Sequence, residues 1–553
     1  MTRTTCGIPL LDCRRSAIIG RCSGYAASAG SAAEMMDLLA DTGRPLAVIA
    51  DEEGPRLVAD PRLQIGMPGD AQSPAVHAWL PAVPVTELGD ADFRAAHGLR
   101  YAYMAGAMAN GIASAELCIS MARAGMLGSY GAGGQSLERI RAAITTIKAT
   151  IGTAPFAVNL IHSPHEPAHE EAVVDLLIEQ DVRLAEASAY LDLTPAAVRY
   201  RLHGLRVLPD GSVQAPNRII AKASRVEVAS RWMSPAPARI LTELVQRGAI
   251  TQEQARMAEH LPLAPDLTAE ADSGGHTDRR PAISLYPTML HLAERLAQEH
   301  GYQRPVRIGA AGGIATPAAA AAAFGMGVAY CCTGSINQAC VESGSCDHVR
   351  SLLAQVDQAD VTMAPAADMF EMGVQLQVVK RGTMFAMRAQ RLWELYSHHP
   401  AWEAIPAAER EKLERSVFKR SFADIWRDTE AFWQRREPAQ AERARTDAKR
   451  RLALCFRWYL GLSSHWANTG EAGRELDYQI WAGPAMGAFN EWTRDSALAE
   501  PSARRADLVA RNLLHGAALH LRLSALRSQG VAAHPRLATV PPRSAAELDR
   551  WSA

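Results

Sequence analysis

The sequence lacks the features that mark secreted, metal-binding or nucleic-acid-binding proteins. Cysteine is scarce: nine are spread over 553 residues and none forms a CxxC pair, which argues against a disulfide scaffold, a zinc ribbon or any other metal site. An excess of charge of one sign is also missing. The formal net charge is −1, so the chain as a whole does not attract nucleic acid or an anionic membrane. We therefore expect a cytoplasmic protein.

Long runs of strongly apolar residues are equally rare. Residues 308–341 carry no charge and are numerous enough to cross a bilayer, but they consist largely of small residues, contain no leucine and include Pro317. The N-terminus has Arg3, Arg14 and Arg15 but no sustained apolar segment, so no secretory signal is visible. These observations predict a protein without a membrane span.

The chain divides into three regions that differ in their pattern of apolar and charged residues. Residues 1–95 mix short apolar runs with Gly and Pro and show no dominant period, so we expect an irregular N-terminal subdomain. Residues 96–379 alternate short apolar runs with helical patterns, whereas residues 380–553 are helical and highly charged. Within the middle region, residues 224–266 are too many for a simple connection and predict an inserted helical lid.

Eight apolar runs of the middle region predict β-strands, with helical patterns between them. This alternation favours an α/β fold built on a parallel TIM (β/α)₈ barrel, with a doubly wound open sheet as the alternative. The C-terminal helical region would be appended to the barrel. The predicted strands are residues 100–105, 126–130, 156–161, 182–187, 218–223, 267–271, 306–310 and 328–332.

Glycines follow the last two predicted strands, at the end of the barrel where active sites lie. Gly312 and Gly313 come after the seventh strand, and Gly334 and Ser335 come after the eighth. Such loops let backbone N–H groups converge on an anion, so they predict a phosphate site, although turns also need glycine.

Other strand ends carry polar or small residues. His276 lies in a Gly-flanked loop, where it could act as a general acid or hydrogen-bond donor, or cap a turn. Lys222, after the fifth strand, needs an anionic partner, which a phosphate, a flavin or a carboxylate would supply. Asn159 is a polar residue at the mouth of the third strand. Ala105 and Gly106 begin a run of small residues where a flat ligand could approach the backbone.

At these residues the sequence resembles a known superfamily. Ser273-Gly-Gly-His276, with the glycine loops downstream, is similar to the nitronate monooxygenase and FMN-dependent enoyl-carrier-protein reductase superfamily. Longer blocks resemble the PfaD-type family, which are trans-acting enoyl reductases of polyketide and polyunsaturated fatty acid synthases. These blocks fall within residues 95–495, at residues 104–111, 159–164, 186–195, 270–278, 363–373 and 456–464.

The resemblance implies an FMN across the barrel mouth, with His276 placed over the flavin. The superfamily usually follows this histidine with a small residue and Gly, whereas here Thr277 and Asp278 follow, so the protonating group stays open. The residues implied for the cofactor are Ala105 and Gly106 at the flavin edge, Asn159 and Lys222 at the ring system, and Gly312, Gly313, Gly334 and Ser335 at the phosphate.

The implied reaction is reduction of the α,β-double bond of an enoyl thioester on an acyl carrier protein, with NADPH or NADH as the reductant. The implied partners are acyl carrier proteins and polyketide synthase modules, and the chain could form a homo-oligomer. Two alternatives remain: a nitronate monooxygenase-like flavin oxidase in which His276 is the base, and a non-catalytic component of a megasynthase.

One stretch of the helical region is basic. Residues 380–451 contain 17 Lys and Arg against 11 Asp and Glu, although the whole chain is nearly neutral. Because acyl carrier proteins are typically acidic, this stretch predicts a docking face for them, with a solvated helical face as the alternative. The candidate docking residues are Lys380, Arg381, Lys419, Arg420, Arg435 and Arg436.

Overall fold

The computed structural model describes residues 10–52, 54–65, 73–162, 166–538 and 540–551. Cys6 and part of the block 159–164 therefore lie outside the described residues. The described chain forms two compact units. The larger unit comprises Met104–Ile314 and Cys332–Glu491; the smaller comprises the described residues up to Tyr103, Ala315–Cys331 and the described residues from Trp492 onward.

Eight parallel strands close into a barrel in chain order, which confirms the predicted TIM barrel. All eight predicted strands are present, with ends shifted by at most three residues. The strands are β1 (Tyr103–Ala105), β2 (Leu127–Tyr130), β3 (Ala157–Ile161), β4 (Leu184–Ser188), β5 (Arg218–Ala223), β6 (Asp266–Glu270), β7 (Arg307–Ala311) and β8 (Tyr330–Thr333).

An ion pair joins the first residues of β6 and β7. Asp266 and Arg307 are partners in the parallel register, and Asp266 Oδ1 accepts from Arg307 Nε at 2.6 Å while Oδ2 accepts from Nη2 at 3.0 Å. Such a bidentate pair fixes strand register at the end of the barrel opposite the site. The carboxyl ends of the strands are thereby left for function.

Helices follow the barrel strands along the chain. Those from Ala115 to Leu353 are Ala115–Arg123, Leu137–Ile151, Pro167–Glu179, Pro195–Leu202, Val226–Met233, Ala238–Gln246, Gln252–Ala258, Ala282–His300, Pro317–Gly325, Ser335–Gln338 and Asp347–Leu353. The insertion predicted at residues 224–266 is helical, as expected: it contains Val226–Met233, Ala238–Gln246 and Gln252–Ala258.

A small antiparallel sheet stands beside the barrel in the larger unit. Gly275–His276 pairs with Gln375–Val379, which pairs in turn with Val361–Pro365. The sequence reasoning predicted none of these strands as a sheet, because the first is only two residues long. The sheet matters for function, since it holds the loop that carries His276.

We expected an irregular N-terminal region. It instead forms a six-stranded antiparallel sheet in the smaller unit. Its strands are at most six residues long, so the region shows no dominant period even though residues 46–50 are predicted as a strand from their apolar run. The strands are Gly20–Gly24, Ala27–Ala29, Leu46–Asp51, Gly54–Ala59, Arg62–Ile65 and Ala75–Leu80, with the helix Ala32–Ala40 between the second and third.

The region after residue 380 is helical, as predicted, although its boundary and that at residue 95 stay predictions. The helix Ala506–Ser528 packs on Pro317–Gly325 within the smaller unit: a Cβ added at Gly516 would lie 2.6 Å from the Pro317 side chain. The longer helices before it are Phe385–His398, Ala407–Leu413, Phe422–Arg436, Pro438–Thr446, Ala448–Thr469 and Ala485–Thr493.

Disulfides, membrane-spanning helices and metal sites can each be looked for in the described part of the chain. None of its eight cysteines forms a disulfide. Its helices include none that is both long and apolar enough to cross a bilayer. No cluster of His, Cys, Asp and Glu with the arrangement of a metal site occurs among the described residues.

Candidate active site

A cavity of about 1120 Å³ lies at the carboxyl ends of the barrel strands, within the larger unit. Ala105 is the one predicted site residue that is not on its wall: it is fully buried in β1, one residue before the wall begins. The predicted site residues that line the cavity are Gly106, Asn159, Lys222, His276, Gly312, Gly313, Gly334 and Ser335.

The two glycine loops form an open cradle on this wall. Gly312 and Gly313 have φ of +83° and +79°, and a Cβ at Gly312 would lie 2.5 Å from the carbonyl carbon of Ala271. By contrast, a Cβ at Gly313 or Gly334 would meet no described atom within 4 Å. The hydroxyl of Tyr286 donates to the carbonyl oxygen of Gly312 at 2.8 Å and so fixes the first loop. A ligand in this cradle would meet backbone rather than side chains.

Lys222 finds its anionic partners within the protein. Its Nζ lies 2.9 Å from Glu270 Oε1 and 3.9 Å from Glu186 Oε1. Burial alone would lower the pKa of Lys222, but the two carboxylates outweigh it and raise that pKa. Lys222 is therefore a neutralised cation. From the sequence, Glu270 or Asp272 was a candidate to pair with a lysine inside the barrel, and Glu270 does so; Glu186 was not foreseen as a partner.

Glu186 itself is fully buried at the mouth of the barrel. Its Oε2 accepts a hydrogen bond from the backbone N–H of Ala107 at 2.7 Å, but its Oε1 has no hydrogen-bond donor among the described residues. A buried carboxylate oxygen without a donor is costly. Glu186 is not itself on the cavity wall, but its Oε1 would lie 3.5 Å from a Cβ added at Gly106, which is.

The Asn159 side chain is held by the neighbouring strand β4. Its Nδ2 donates to the carbonyl oxygen of Glu186 at 3.0 Å and to Ser188 Oγ at 2.9 Å. With the amide nitrogen engaged, the oxygen Oδ1 is left on the side of Gly133, another residue of the cavity wall. Asn159 can thus offer an acceptor to a ligand.

His276 forms a pair with Asp368 that sequence reasoning missed. Its Nε2 lies 3.1 Å from Asp368 Oδ1, and both residues line the cavity. Burial would lower the pKa of His276, but the hydrogen bond and charge of Asp368 prevail and raise it, and the same contact lowers the pKa of Asp368. The residue pair is thus suited to hold a proton on the imidazole near neutral pH.

The loop of His276 is fixed by its surroundings. A Cβ at Gly274 would lie 2.6 Å from the Cα of Ala482, so only glycine fits there. Asp278, which departs from the superfamily pattern, is held by Arg225 at 2.9 and 2.7 Å, and this contact lowers the pKa of Asp278 to about 2. Asp278 therefore stays an ion-paired carboxylate rather than a proton donor.

The far wall of the cavity comes from the helical region, which we had expected only to pack on the barrel. Two helices supply it, Phe422–Arg436 and Ala448–Thr469. Apolar residues recur along Phe422–Arg436, among them Phe422, Ile425, Trp426, Phe432 and Trp433, and form an amphipathic stripe. Such a stripe predicts a buried face but does not distinguish a core contact from a cavity wall. Wall residues from these helices are Asp428, Thr429, Phe432, Trp433, Arg435, Arg436, Leu454, Arg457, Trp458, Gly461, Leu462, Ser464 and His465.

Most of the predicted docking residues are engaged within the protein. Arg436 pairs with Glu166, Arg420 with Asp428 at 2.8 Å, and Arg381 with Asp360 at 3.1 Å, while Lys419 Nζ donates to the carbonyl oxygen of Gly473. Of the six candidates, three form no ion pair in the part of the chain that the structure describes: Lys380, Lys419 and Arg435.

Two family models match the chain. Residues 94–382 match nitronate monooxygenase, and residues 399–478 match the inserted helical domain of [acyl-carrier-protein] S-malonyltransferase. The first match covers the barrel with its small sheet, and the second covers the helices of the far wall.

Similar proteins come from two kinds of synthase. One polyunsaturated fatty acid synthase protein of Thraustochytrium sp. is 47% identical over 449 residues, which are 80% of this chain and 30% of that protein. Polyketide biosynthesis protein PksE of Bacillus subtilis is 40% identical over 465 residues, 82% of this chain and 60% of that protein. The chain thus spans less than two thirds of each of these curated relatives.

A solved structure covers the same region. The enoyl reductase domain of MlnA, from the macrolactin biosynthesis cluster of Bacillus amyloliquefaciens, is 35% identical with a TM-score of 0.76. The alignment covers 80% of this chain and 100% of that domain.

Proposed function

Because this chain belongs to the nitronate monooxygenase family of oxidoreductases, with relatives in polyunsaturated fatty acid and polyketide synthases, we propose that it is an FMN-dependent enoyl reductase. It would act in trans on an enoyl thioester carried by an acyl carrier protein, in polyketide or polyunsaturated fatty acid biosynthesis. The observation that carries the proposal is a cavity that unites an open glycine cradle with the His276–Asp368 pair.

The residues present fit an FMN. Gly313 and Gly334 leave the space that a phosphate group needs, and Ser335 adds a hydroxyl beside them. Asn159 and Gly106 line the cavity and would face the ring system, and the Glu186 Oε1 atom behind Gly106 has no donor among the described residues. When bound, FMN reduced by NADPH or NADH supplies the hydride that adds to Cβ of the enoyl thioester.

The role of the chain is to orient the thioester and to manage its charge and proton. Hydride addition at Cβ places negative charge on the thioester oxygen, which a hydrogen-bond donor must stabilise. Lys222 is neutralised by Glu186 and Glu270, whereas Asp368 raises the pKa of His276 and so favours its protonated form. His276, or a water that it orients, is therefore our candidate to supply the proton that Cα requires.

The partners that follow are an acyl carrier protein and the synthase modules that bear it. We propose that the enzyme works in the cytoplasm, where carrier-bound intermediates occur, as a single chain or as a homo-oligomer.

The decisive experiment incubates the purified chain with FMN, NADPH and an enoyl-acyl carrier protein, and measures the mass of the carrier-bound product. A gain of two hydrogen atoms, dependent on NADPH, is the expected result. Oxygen uptake that depends on an alkyl nitronate, without enoyl reduction, would instead establish the nitronate monooxygenase-like alternative. Absence of both reactions in a protein that retains no flavin would point to a non-catalytic component of a synthase.

A further inference from the structure

Three large apolar side chains on the cavity wall remain exposed. Leu191 is 51% exposed, Met372 is 58% exposed and Phe432 is 44% exposed, and all three line the same cavity as His276. Apolar side chains that converge on a concave site mark a place where a ligand, rather than the protein core, covers them.

We propose that these three side chains form the acyl-chain subsite of the cavity and that Phe432, from the helical region, selects substrates by chain length. The inference rests on the proposed function, because an enoyl thioester brings one polar group and one apolar chain. The polar groups, Lys222 and His276 among them, lie at the barrel mouth, while Phe432 belongs to the far wall.

The position of Phe432 is fixed by its own helix. Thr429 lies three and four residues before Phe432 and Trp433, and Arg436 lies four and three residues after them, so the four share one side of the helix, and all four line the cavity. Trp433 is buried in a cluster with Ala441, Ala444 and Leu454, which anchors this turn. The Phe432 ring is thus part of a firm wall.

An acyl chain suits the three exposed apolar side chains better than the nicotinamide dinucleotide does. A dinucleotide carries two phosphates and two riboses along its length, and none of these groups gains from contact with leucine, methionine or phenylalanine. A saturated chain gains in proportion to the apolar area that it covers.

The test measures binding rather than turnover, by calorimetry on the full chain. The probes are decanoyl-pantetheine and butanoyl-pantetheine, which contain no double bond to reduce. Leu191→Ala, Met372→Ala and Phe432→Ala should each weaken decanoyl-pantetheine binding by about tenfold and leave butanoyl-pantetheine binding nearly unchanged. Phe432→Leu, which preserves an apolar side chain, should lose less affinity for decanoyl-pantetheine than Phe432→Ala does.

Matched controls come from exposed residues that do not line the cavity. Leu476 is 51% exposed and Met387 is 65% exposed, so Leu476→Ala and Met387→Ala remove the same groups at similar exposure elsewhere. These two variants should bind decanoyl-pantetheine like the unchanged protein.

The outcomes separate this inference from the proposed function. If the wall variants selectively lose decanoyl-pantetheine binding but the unchanged protein reduces no enoyl thioester, the subsite is supported and the proposed reductase function is wrong. Equal losses in wall and control variants, or none in the wall variants, would overturn the subsite. So would wall variants that weaken NADPH binding as much as acyl-chain binding.

Discussion

Single residues decide the acid–base chemistry of the cavity, and the His276–Asp368 pair is the one to test first. Because Asp368 raises the pKa of His276, the imidazole keeps its proton to a higher pH than an ordinary histidine does. As pH rises through that raised pKa, the proton is lost, so enoyl reduction should fall on the alkaline side. Because Asp368→Asn removes the charge that raises this pKa, the fall in activity at alkaline pH (the alkaline limb of the pH profile) should move to lower pH.

The measurement is kcat/KM for enoyl reduction as a function of pH. Asp368→Glu, which keeps the negative charge, is the matched variant and should retain more of the alkaline activity than Asp368→Asn. If Asp368→Asn leaves the alkaline limb where it was, His276 is not the group that limits the reaction there.

Removal of the imidazole itself is the second residue-scale prediction. His276→Ala should lower enoyl reduction by about 10²–10⁴-fold, the range for loss of a general acid. FMN retention and flavin reduction by NADPH should change much less, because the glycine cradle is intact in this variant. Stopped-flow absorbance separates the two half-reactions. Unchanged enoyl reduction would reassign His276 to a role in the loop alone.

At the scale of secondary-structure elements, the loop after β8 offers the sharpest test of cofactor binding. Gly313 has a positive φ, so any side chain there is strained whatever the space. Gly334 has a φ of −127° and nothing within 4 Å of an added Cβ. Gly334→Ala should therefore keep the free energy of unfolding of the cofactor-free protein within about 0.5 kcal/mol, yet weaken FMN by about tenfold through overpacking.

The control for this prediction is Gly325→Ala, where an added Cβ also meets nothing within 4 Å and the residue does not line the cavity. That variant should bind FMN like the unchanged protein, as measured by flavin fluorescence quenching. If Gly334→Ala binds FMN as tightly as the unchanged protein does, the phosphate of FMN does not bind at this loop.

The elements also show what sequence could and could not predict. The barrel strands were predictable because each is an apolar run that a helical pattern follows, as at Arg218–Ala223, whose bounds were predicted without error. The helix Phe422–Arg436 was predictable as an element, but its stripe does not reveal that Phe432 faces a cavity. The pairing of His276 with Asp368 joins residues 92 positions apart, which no local pattern encodes.

Across the whole molecule, charge is distributed unevenly, and this bears on how a carrier protein would be recognised. Residues 380–451 are basic, but most of the arginines first proposed for docking are held by acidic partners, as Arg420 is by Asp428. Lys380, Lys412 and Arg415 are exposed and form no ion pair in the described residues. Arg435 is exposed and without an ion pair there too, but it lines the cavity, so these three are the residues to test for attraction of an acidic carrier.

Because exposed charges are screened over about 8 Å at physiological ionic strength, added salt should raise the KM for an enoyl-acyl carrier protein. It should leave the KM for a small enoyl-pantetheine nearly unchanged, since that substrate has no acidic surface. Replacing Lys380, Lys412 and Arg415 together with Glu should reproduce the selective loss at low salt. Arg256→Glu, which reverses an exposed charge on a helix that does not line the cavity, should not. If both substrates respond alike to salt, the carrier does not dock through these charges, and the basic stretch serves only to solvate its helices.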